Sequence, residues 1–254
     1  VQSPALVTAI GAGSGGYRRL LGLDAIDTES YDGWRSFLVS LRARGVSGVV
    51  CVTSDAHEGL KRAIREVFPG AAWQRCIVHL MRSAAGNAST KQKKAAVLGI
   101  LKAVFAERDP ELVRELYQLA IGQIEGFCPA AAKLLEEAEA DALAYLDFPY
   151  EHHVRLRTNN VQERANRELK RRSRVVQVFP SRKSLIRMMG AVFSEMDEDW
   201  AARRWFNDDS IGRAVEGAKV NAPAHAYEGT AAEHAARIIA LVVAGNPIPG
   251  RKAA

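Results

Sequence analysis

The apolar residues of this chain follow two kinds of spacing, and the change between them divides it. Up to about residue 78 they come in short runs broken by Gly, Pro and Asp. Ala5-Leu-Val-Thr-Ala-Ile10 lies between Pro4 and Gly11, and Val49-Val-Cys-Val-Thr53 is mostly β-branched. Both read as strands, the second as one buried on both faces. Ala72 to Ile77 reads as a further strand. Between them Trp34, Phe37, Leu38 and Leu41 recur at three- and four-residue spacing, which predicts a helix over 30–44 closed by Gly45. A second helix is predicted from Leu60 to Val67, stopped by Pro69-Gly70.

From about His79 to Leu146 only helical spacing is present, over Ala95–Phe105, Pro110–Glu125 and Ala130–Leu146. Arg157 to Arg174 lacks Pro and Gly and reads as one more helix, with Thr158, Asn159 and Asn160 as N-cap candidates. Val175–Phe179 is an apolar run ending at Pro180. Ser181 then caps a helix whose Leu185, Ile186, Met188, Met189, Val192 and Phe193 form a core stripe. Asn207 to Thr230 carries no strong pattern, Ala231–Val243 reads as a last helix, and Pro249–Ala254 as a frayed tail. The expected organisation is an α/β part over 1–78, a helical insertion over 79–150, a basic helix and closing core helix over 151–206, and a partly helical tail over 207–254.

Gly11-Ala-Gly13-Ser-Gly-Gly16 formally matches G-x-G-x-x-G. A dinucleotide-binding oxidoreductase built on Gly11, Gly13 and Gly16 requires a helix at Tyr17–Leu23 and affinity for NAD(P). The alternative is a hairpin loop, with a second strand over Tyr17–Asp24. Gly22 interrupts that stretch and favours the hairpin.

Charge changes the picture most. The chain is +6 overall, yet residues 151–190 hold eleven Lys/Arg against three Asp/Glu, so this segment is +8 and the rest −2. Such concentration suits a polyanion, with salt-sensitive contact to phosphates. At 3.6 residues per turn, Glu163, Asn166, Arg167 and Lys170 share a face, and Arg171, Arg172 and Arg174 add charge where the helix dipole favours it. The plainer reading of the same helix is a solvated basic face with a Glu163–Arg167 ion pair. A membrane-surface helix is disfavoured, because the segment lacks a broad apolar face. No apolar run approaches ~20 residues. The three cysteines, Cys51, Cys76 and Cys128, are too few and scattered for a disulfide framework, which suits a cytoplasmic setting.

Three boxes then stand in order: Ser54-Asp55-Ala56-His57-Glu58-Gly59-Leu60, Cys76-x-x-His79, and Thr158-Asn159-x-x-x-Glu163-Arg164-x-Asn166-x-x-x-Lys170-Arg171. With this order and spacing the chain resembles the bacterial Mutator-type insertion-sequence transposases from roughly Ala5 to Trp205. The resemblance implies an α/β fold, an RNase H-like mixed sheet core with an all-helical insertion domain. It implies a DDE transposase that cleaves and joins DNA at insertion-sequence ends with two Mg²⁺ or Mn²⁺ ions. Asp55 matches the second catalytic aspartate and Glu163 the catalytic glutamate, both metal-holding. Lys170 matches the basic residue accompanying that glutamate, and Arg164, Arg167, Arg171, Arg172 and Arg174 are expected at DNA phosphates. His57, Cys76, His79, Asn159 and Asn166 belong to the family signature. The implied partners are double-stranded DNA, as terminal inverted repeats and target, and further copies of the chain on DNA; no membrane is involved.

The family's first aspartate lies on a strand upstream of the hairpin, and Val1 falls after it. Asp24 is a poor substitute. The expectation is therefore an N-terminally truncated transposase, first strand missing and catalytically inactive, or a non-catalytic DNA-binding remnant. Cys76-x-x-His79 lacks the second matching pair a zinc site usually has, so a structural role is favoured over zinc. His152-His153 reads as a surface pair.

Overall fold

The computed structural model describes residues 5–176, 179–217 and 229–245. Gln177 and Val178 of the apolar run, residues 218–228 of the patternless stretch, and the 249–254 tail lie outside the described residues. In chain order the elements are β1 (Ala5–Ala12), β2 (Arg18–Ile26), α1 (Tyr31–Ala43), β3 (Cys51–Ser54), α2 (Glu58–Val67), β4 (Ala72–Arg75), α3 (Ile77–Gly86) and α4 (Lys91–Ala106). They continue with α5 (Pro110–Glu125), α6 (Pro129–Ala142), two short 3-10 turns, α7 (His153–Leu156), α8 (Asn160–Val176), α9 (Arg182–Ala201), α10 (Asp208–Val215) and α11 (Ala231–Gly245). The strands form two-stranded sheets, β1 with β2 and β3 with β4. The chain divides into two compact units, one up to Trp73 plus Val154 to Gly217, the other Gln74 to His153 plus the described residues from Gly229.

The first unit is built around the β1–β2 hairpin, whose antiparallel pairs run from Ala5↔Ile26 to Ala12↔Arg18. Alternation sends Ala5, Val7 and Ala9 to one face, against α1 and α2, where Phe37, Leu38, Leu41, Ala63, Ile64 and Val67 are buried. Leu6 and Ile10 go to the other, against Ala165 and Leu169 of α8 and Met189, Val192 and Phe193 of α9. The register shifts between Ala9 and Ile10, leaving Leu21 as the extra residue. That bulge lets Leu20 and Leu23, three apart, share the α8–α9 face. Gly22 is buried under α1, where a Cβ would collide with Leu41 and Arg44, so glycine admits the helix. The expected helix caps are in place: Ser30 accepts from Gly33 N–H at 3.3 Å, and Ser181 forms a capping box with Ser184.

The glycine loop is a turn. Gly16 N–H donates to the Gly13 carbonyl at 2.9 Å, and Gly16 has φ +74°. The Gly16 carbonyl accepts from Trp205 N–H at 2.8 Å and Phe206 N–H at 3.0 Å. A Cβ on Gly16 would collide with the Phe206 carbonyl. The dinucleotide reading needed a helix at Tyr17–Leu23; β2 occupies that stretch instead, and hairpin geometry accounts for these glycines.

Several expected boundaries move: the strand expected over Val49–Thr53 runs Cys51–Ser54 and is mostly half-buried rather than buried on both faces, and the helix expected over Ala130–Leu146 ends at Ala142. The strand expected over Ala72–Ile77 ends at Arg75, because Cys76 is the N-cap of α3. The run at Val175 begins inside α8, which continues to Val176.

The second unit packs α3 on α4 and α6, α5 on α4 and α6, and α11 on α4 and α5. Tyr117 O–H donates to the Leu135 carbonyl at 2.8 Å, joining α5 to α6, and burial pushes the Tyr117 phenol well up. Gln74 is fully buried and satisfied: its Nε2 donates to the Ala142 carbonyl at 2.9 Å, and its Oε1 accepts from Tyr145 N–H at 2.7 Å. His152 and His153 are buried, not the surface pair their sequence suggested. His153 sits edge-on between the Tyr145 and Tyr150 rings, with Nε2 2.8 Å from the Phe148 carbonyl. That bond lets an imidazole enter the core.

Candidate active site and basic helix

Strand β3 ends at Ser54, and its neighbours in the first box anchor that end. Ser54 is buried; its Oγ accepts from Trp73 Nε1–H at 2.8 Å and donates to the Asp55 carbonyl at 3.0 Å. His57 caps α2, its Nδ1 accepting from Leu60 N–H at 3.1 Å, which places the ring proton on Nε2. The ring also meets Trp34 edge-on at 6.1 Å. At Gly59 a Cβ would lie 2.9 Å from Tyr31 N, so glycine permits the close approach of α1. Leu60 packs on the core. These residues hold the turn, and the Asp55 side chain is left exposed at its tip.

Hydrogen bonds join β3 and this turn to the segment leading into α8. Thr53 Oγ1 donates to the Leu156 carbonyl at 2.6 Å, and Asn159 Nδ2 donates to Asp55 Oδ1 at 3.3 Å. Since α8 begins at Asn160 and the Asn159 carbonyl accepts Glu163 N–H at 2.9 Å, Asn159 is the N-cap, and of the three candidates it holds the post. Glu163 thus sits in the first turn, half buried, where the helix dipole favours a negative charge. Asp55 and Glu163 are brought to the same end of the unit by one residue, Asn159. Asp55 is exposed past β3 and Glu163 is half buried in the first turn of α8, and both offer carboxylate oxygens of the kind a divalent cation takes.

Ala165 and Leu169 bury the inner side of α8. At 100° per residue, Arg167, Lys170 and Arg174 point opposite, with Glu163, and all three cations are exposed. Asn166 is exposed beside them and accepts from Gln162 Nε2 at 3.3 Å; Gln162 also reaches Thr8 on β1. Among the described residues Arg164, Arg167, Lys170 and Arg174 have no ion-pair partner, so the Glu163–Arg167 pair does not form. Glu168, which the sequence reading passed over, pairs instead. Its carboxylate takes Arg171 Nε at 2.8 Å and Nη2 at 2.6 Å, and Arg172 Nε at 2.9 Å; Arg172 also reaches Glu195 at 3.2 Å. The Arg171 and Arg172 hydrogen bonds pull the Glu168 carboxyl down to about 2. The spacing of Glu168 to Arg171 and Arg172 was visible as an i,i+3 and i,i+4 pattern.

Cys76 is buried at the head of α3, and His79 lies one turn on, its Nδ1 3.4 Å from Cys76 Sγ. Arg82 approaches the other ring nitrogen of His79 at 3.5 Å. Cys51, on β3, has its thiol pushed up to about 12 by burial, so it stays protonated near neutrality. No described helix is long and apolar enough to cross a membrane.

The family model described as Transposase, Mutator family matches residues 1–203. The chain is 38% identical over 199 residues to the transposase for insertion sequence element IS406 of Burkholderia multivorans, covering 77% of this chain and 50% of that protein. It is 39% identical over 207 residues to the transposase for IS1081 of Mycobacterium tuberculosis, covering 81% and 50%. With the transposase for IS256 in transposon Tn4001 of Staphylococcus aureus it shares 34% over 214 residues, covering 82% and 54%. The chain spans about half the length of these curated relatives. With its family model matched over most of its length, this chain belongs to the Mutator family of transposases.

Proposed function

We propose that Asp55 and Glu163 belong to a DDE-type metal site that cleaves DNA and transfers strands at insertion-sequence ends. The observation that carries this is the Asn159–Asp55 hydrogen bond, which places the carboxylate past β3 beside the first turn of α8. A hairpin, a β3 strand ending in an acid and a helix bringing the glutamate are consistent with an RNase H-like core. When bound, a pair of Mg²⁺ or Mn²⁺ ions activates the attacking oxygen and steadies the leaving one. Asp55 and Glu163 would hold these ions. Asn159 donates to Oδ1 of Asp55, and this bond would help fix the carboxylate's orientation. Arg167, Lys170 and Arg174 present a row of charge that grips the duplex backbone without reading sequence. The terminal inverted repeats and target DNA are the corresponding partners, bound by more than one copy of the chain.

Mn²⁺ binding followed by electron paramagnetic resonance tests the metal site. The wild type takes up Mn²⁺, and Asp55→Asn and Glu163→Gln each weaken it by about tenfold or more, since even a supporting partner is worth that much. Equal Mn²⁺ affinity in all three proteins, with unchanged circular dichroism, overturns the assignment.

A further inference from the structure

The second unit is divided by charge. From Gln74 to Ala106 the chain carries six Lys/Arg and no Asp/Glu, whereas residues 107–153 carry eleven Asp/Glu and three Lys/Arg. Helices α3 and α4 belong to the first stretch and pack on each other, while α5 and α6 belong to the second. A surface kept charged for solubility alone intersperses the two signs. Here they are segregated between helices of one folded unit.

Part of the basic stretch is offset locally, since Arg75 pairs with Asp141 at 3.7 Å. The lysines of α4 are not. Among the described residues Lys91, Lys93, Lys94 and Lys102 have no ion-pair partner. Val97, Leu101 and Val104 are buried on the inner side of α4. At 100° per residue Lys91 and Lys102 fall within about 20° of each other on the outward side, with Lys94 on its flank. All three are exposed. At 1.5 Å per residue Lys91 and Lys102 stand about 16 Å apart along the helix, a length over which a duplex presents several phosphates on each strand. Ala95 and Ala106 are exposed on the same side, and neither is long enough to hold a rod-shaped partner away from the lysines.

These cations do not serve the helix that carries them. Thr90 already caps α4, accepting from Lys93 N–H at 3.2 Å, and the first turn contains no acid. Lys91, Lys93 and Lys94 therefore stand where the helix dipole disfavours positive charge. Residues that cost the fold stability while keeping one sign across an exposed face suit a polyanion.

We propose that Lys91, Lys94 and Lys102 form a phosphate-contacting face for duplex DNA on α4, within the helical unit. This rests on the reading above that the chain binds duplex DNA, and it adds residues that no sequence box contains. Lysine meets a phosphate as a point charge, so this face holds the backbone without reading sequence.

The test is fluorescence anisotropy of a labelled duplex of arbitrary sequence, titrated with the full chain across a salt series. Lys91→Gln/Lys94→Gln/Lys102→Gln is compared with Arg167→Gln/Lys170→Gln on α8 and with Lys133→Gln, which removes an exposed lysine from α6. The α4 triple variant is expected to weaken binding about tenfold or more at ~50 mM salt and to make the log K against log[salt] slope shallower by about three. Its melting temperature should hold or rise, because two of the substitutions remove charge from the positive end of a dipole. A loss of folded protein would lower the active fraction without changing the salt slope. If the triple variant binds like the wild type while the α8 variant is weakened, the α4 face is overturned and the DNA-binding reading stands. If Lys133→Gln weakens binding as much per charge removed, the effect is one of net charge and the face is likewise overturned. If the wild type binds no duplex, both readings fall.

Discussion

Asn159 donates its side-chain amide to Asp55 at 3.3 Å, across 104 residues of chain. A carboxylate can only accept, so the amide nitrogen must face it. N-cap asparagines ordinarily turn their side-chain oxygen back onto their own helix. Here the backbone carbonyl also receives Glu163 N–H, and the side-chain amide nitrogen reaches outward to the strand end. One residue therefore sets the start of α8 and orients the acid opposite it.

Replacing Asn159 separates these duties. Asn159→Ala removes the contact with Asp55, and a partly exposed bond of this kind is worth about 0.5–1.5 kcal/mol. Asn159→Asp keeps a capping side chain but sets one carboxylate against another, which costs more at neutral pH and recovers as acid protonates either group. Urea unfolding of both variants at neutral and acid pH checks this. Equal stability of Asn159→Asp and wild type at neutral pH would show that the contact orients nothing.

The neighbouring tie, Thr53 Oγ1 to the Leu156 carbonyl, is short at 2.6 Å. Thr53→Val keeps the shape of the side chain and leaves the carbonyl without this donor, so we expect a loss of about 1 kcal/mol in urea unfolding with an unchanged m-value. Mn²⁺ affinity should fall with it, because the segment leading into α8 then loses a bond to the strand that ends beside Asp55.

What was legible in the sequence were the features that repeat locally. The apolar run Ala5–Ile10 between Pro4 and Gly11 gave β1, the 34/37/38/41 spacing gave α1, and Ser181 announced α9. The bulge at Leu21 was not legible, because a single extra residue shows only against its partner strand. α10 has weak apolar spacing, yet its signals were present: Asn207 caps Asp209 N–H at 3.2 Å, acids fill the first turn and Arg213 the last. His152 and His153 read as polar and exposed because the rings and carbonyl that receive His153 are ordinary residues with no motif of their own. For the candidate site, each box suggested its own residue types, but nothing in a 104-residue separation says that Asn159 meets Asp55.

The glycine loop offers a sharp contrast within one motif. Gly16 has φ +74° and no room for a Cβ against Phe206, whereas a Cβ on Gly13 meets nothing within 4 Å. Gly16→Ala is expected to cost about 1–3 kcal/mol, and Gly13→Ala about 0.5 kcal/mol or less. Thermal unfolding of the two variants measures it. A nucleotide-binding loop would instead make both glycines matter to NAD(P) affinity, and we expect no such affinity in either variant or the wild type.

Glu168 links acid stability to DNA binding. Its folded carboxyl titrates at about 2, below its ordinary 4.5, because it accepts from Arg171 and Arg172. A depressed carboxyl contributes stability that is complete above the unfolded value and is lost as pH falls through the folded one. The stability gap between wild type and Glu168→Gln should thus be level above about pH 4.5 and shrink steadily toward pH 2. The group is partly exposed, so the gap is small and narrows further with salt. In the other direction, Glu168→Gln releases the Arg171 guanidinium at the end of α8 next to Arg167, Lys170 and Arg174, while Arg172 keeps its bond to Glu195. Duplex affinity should rise at low salt, with a log K against log[salt] slope steeper by about one. If the variant binds DNA no more tightly than the wild type, Arg171 serves the helix rather than the duplex, and the phosphate row consists of the cations that already stand without an acid.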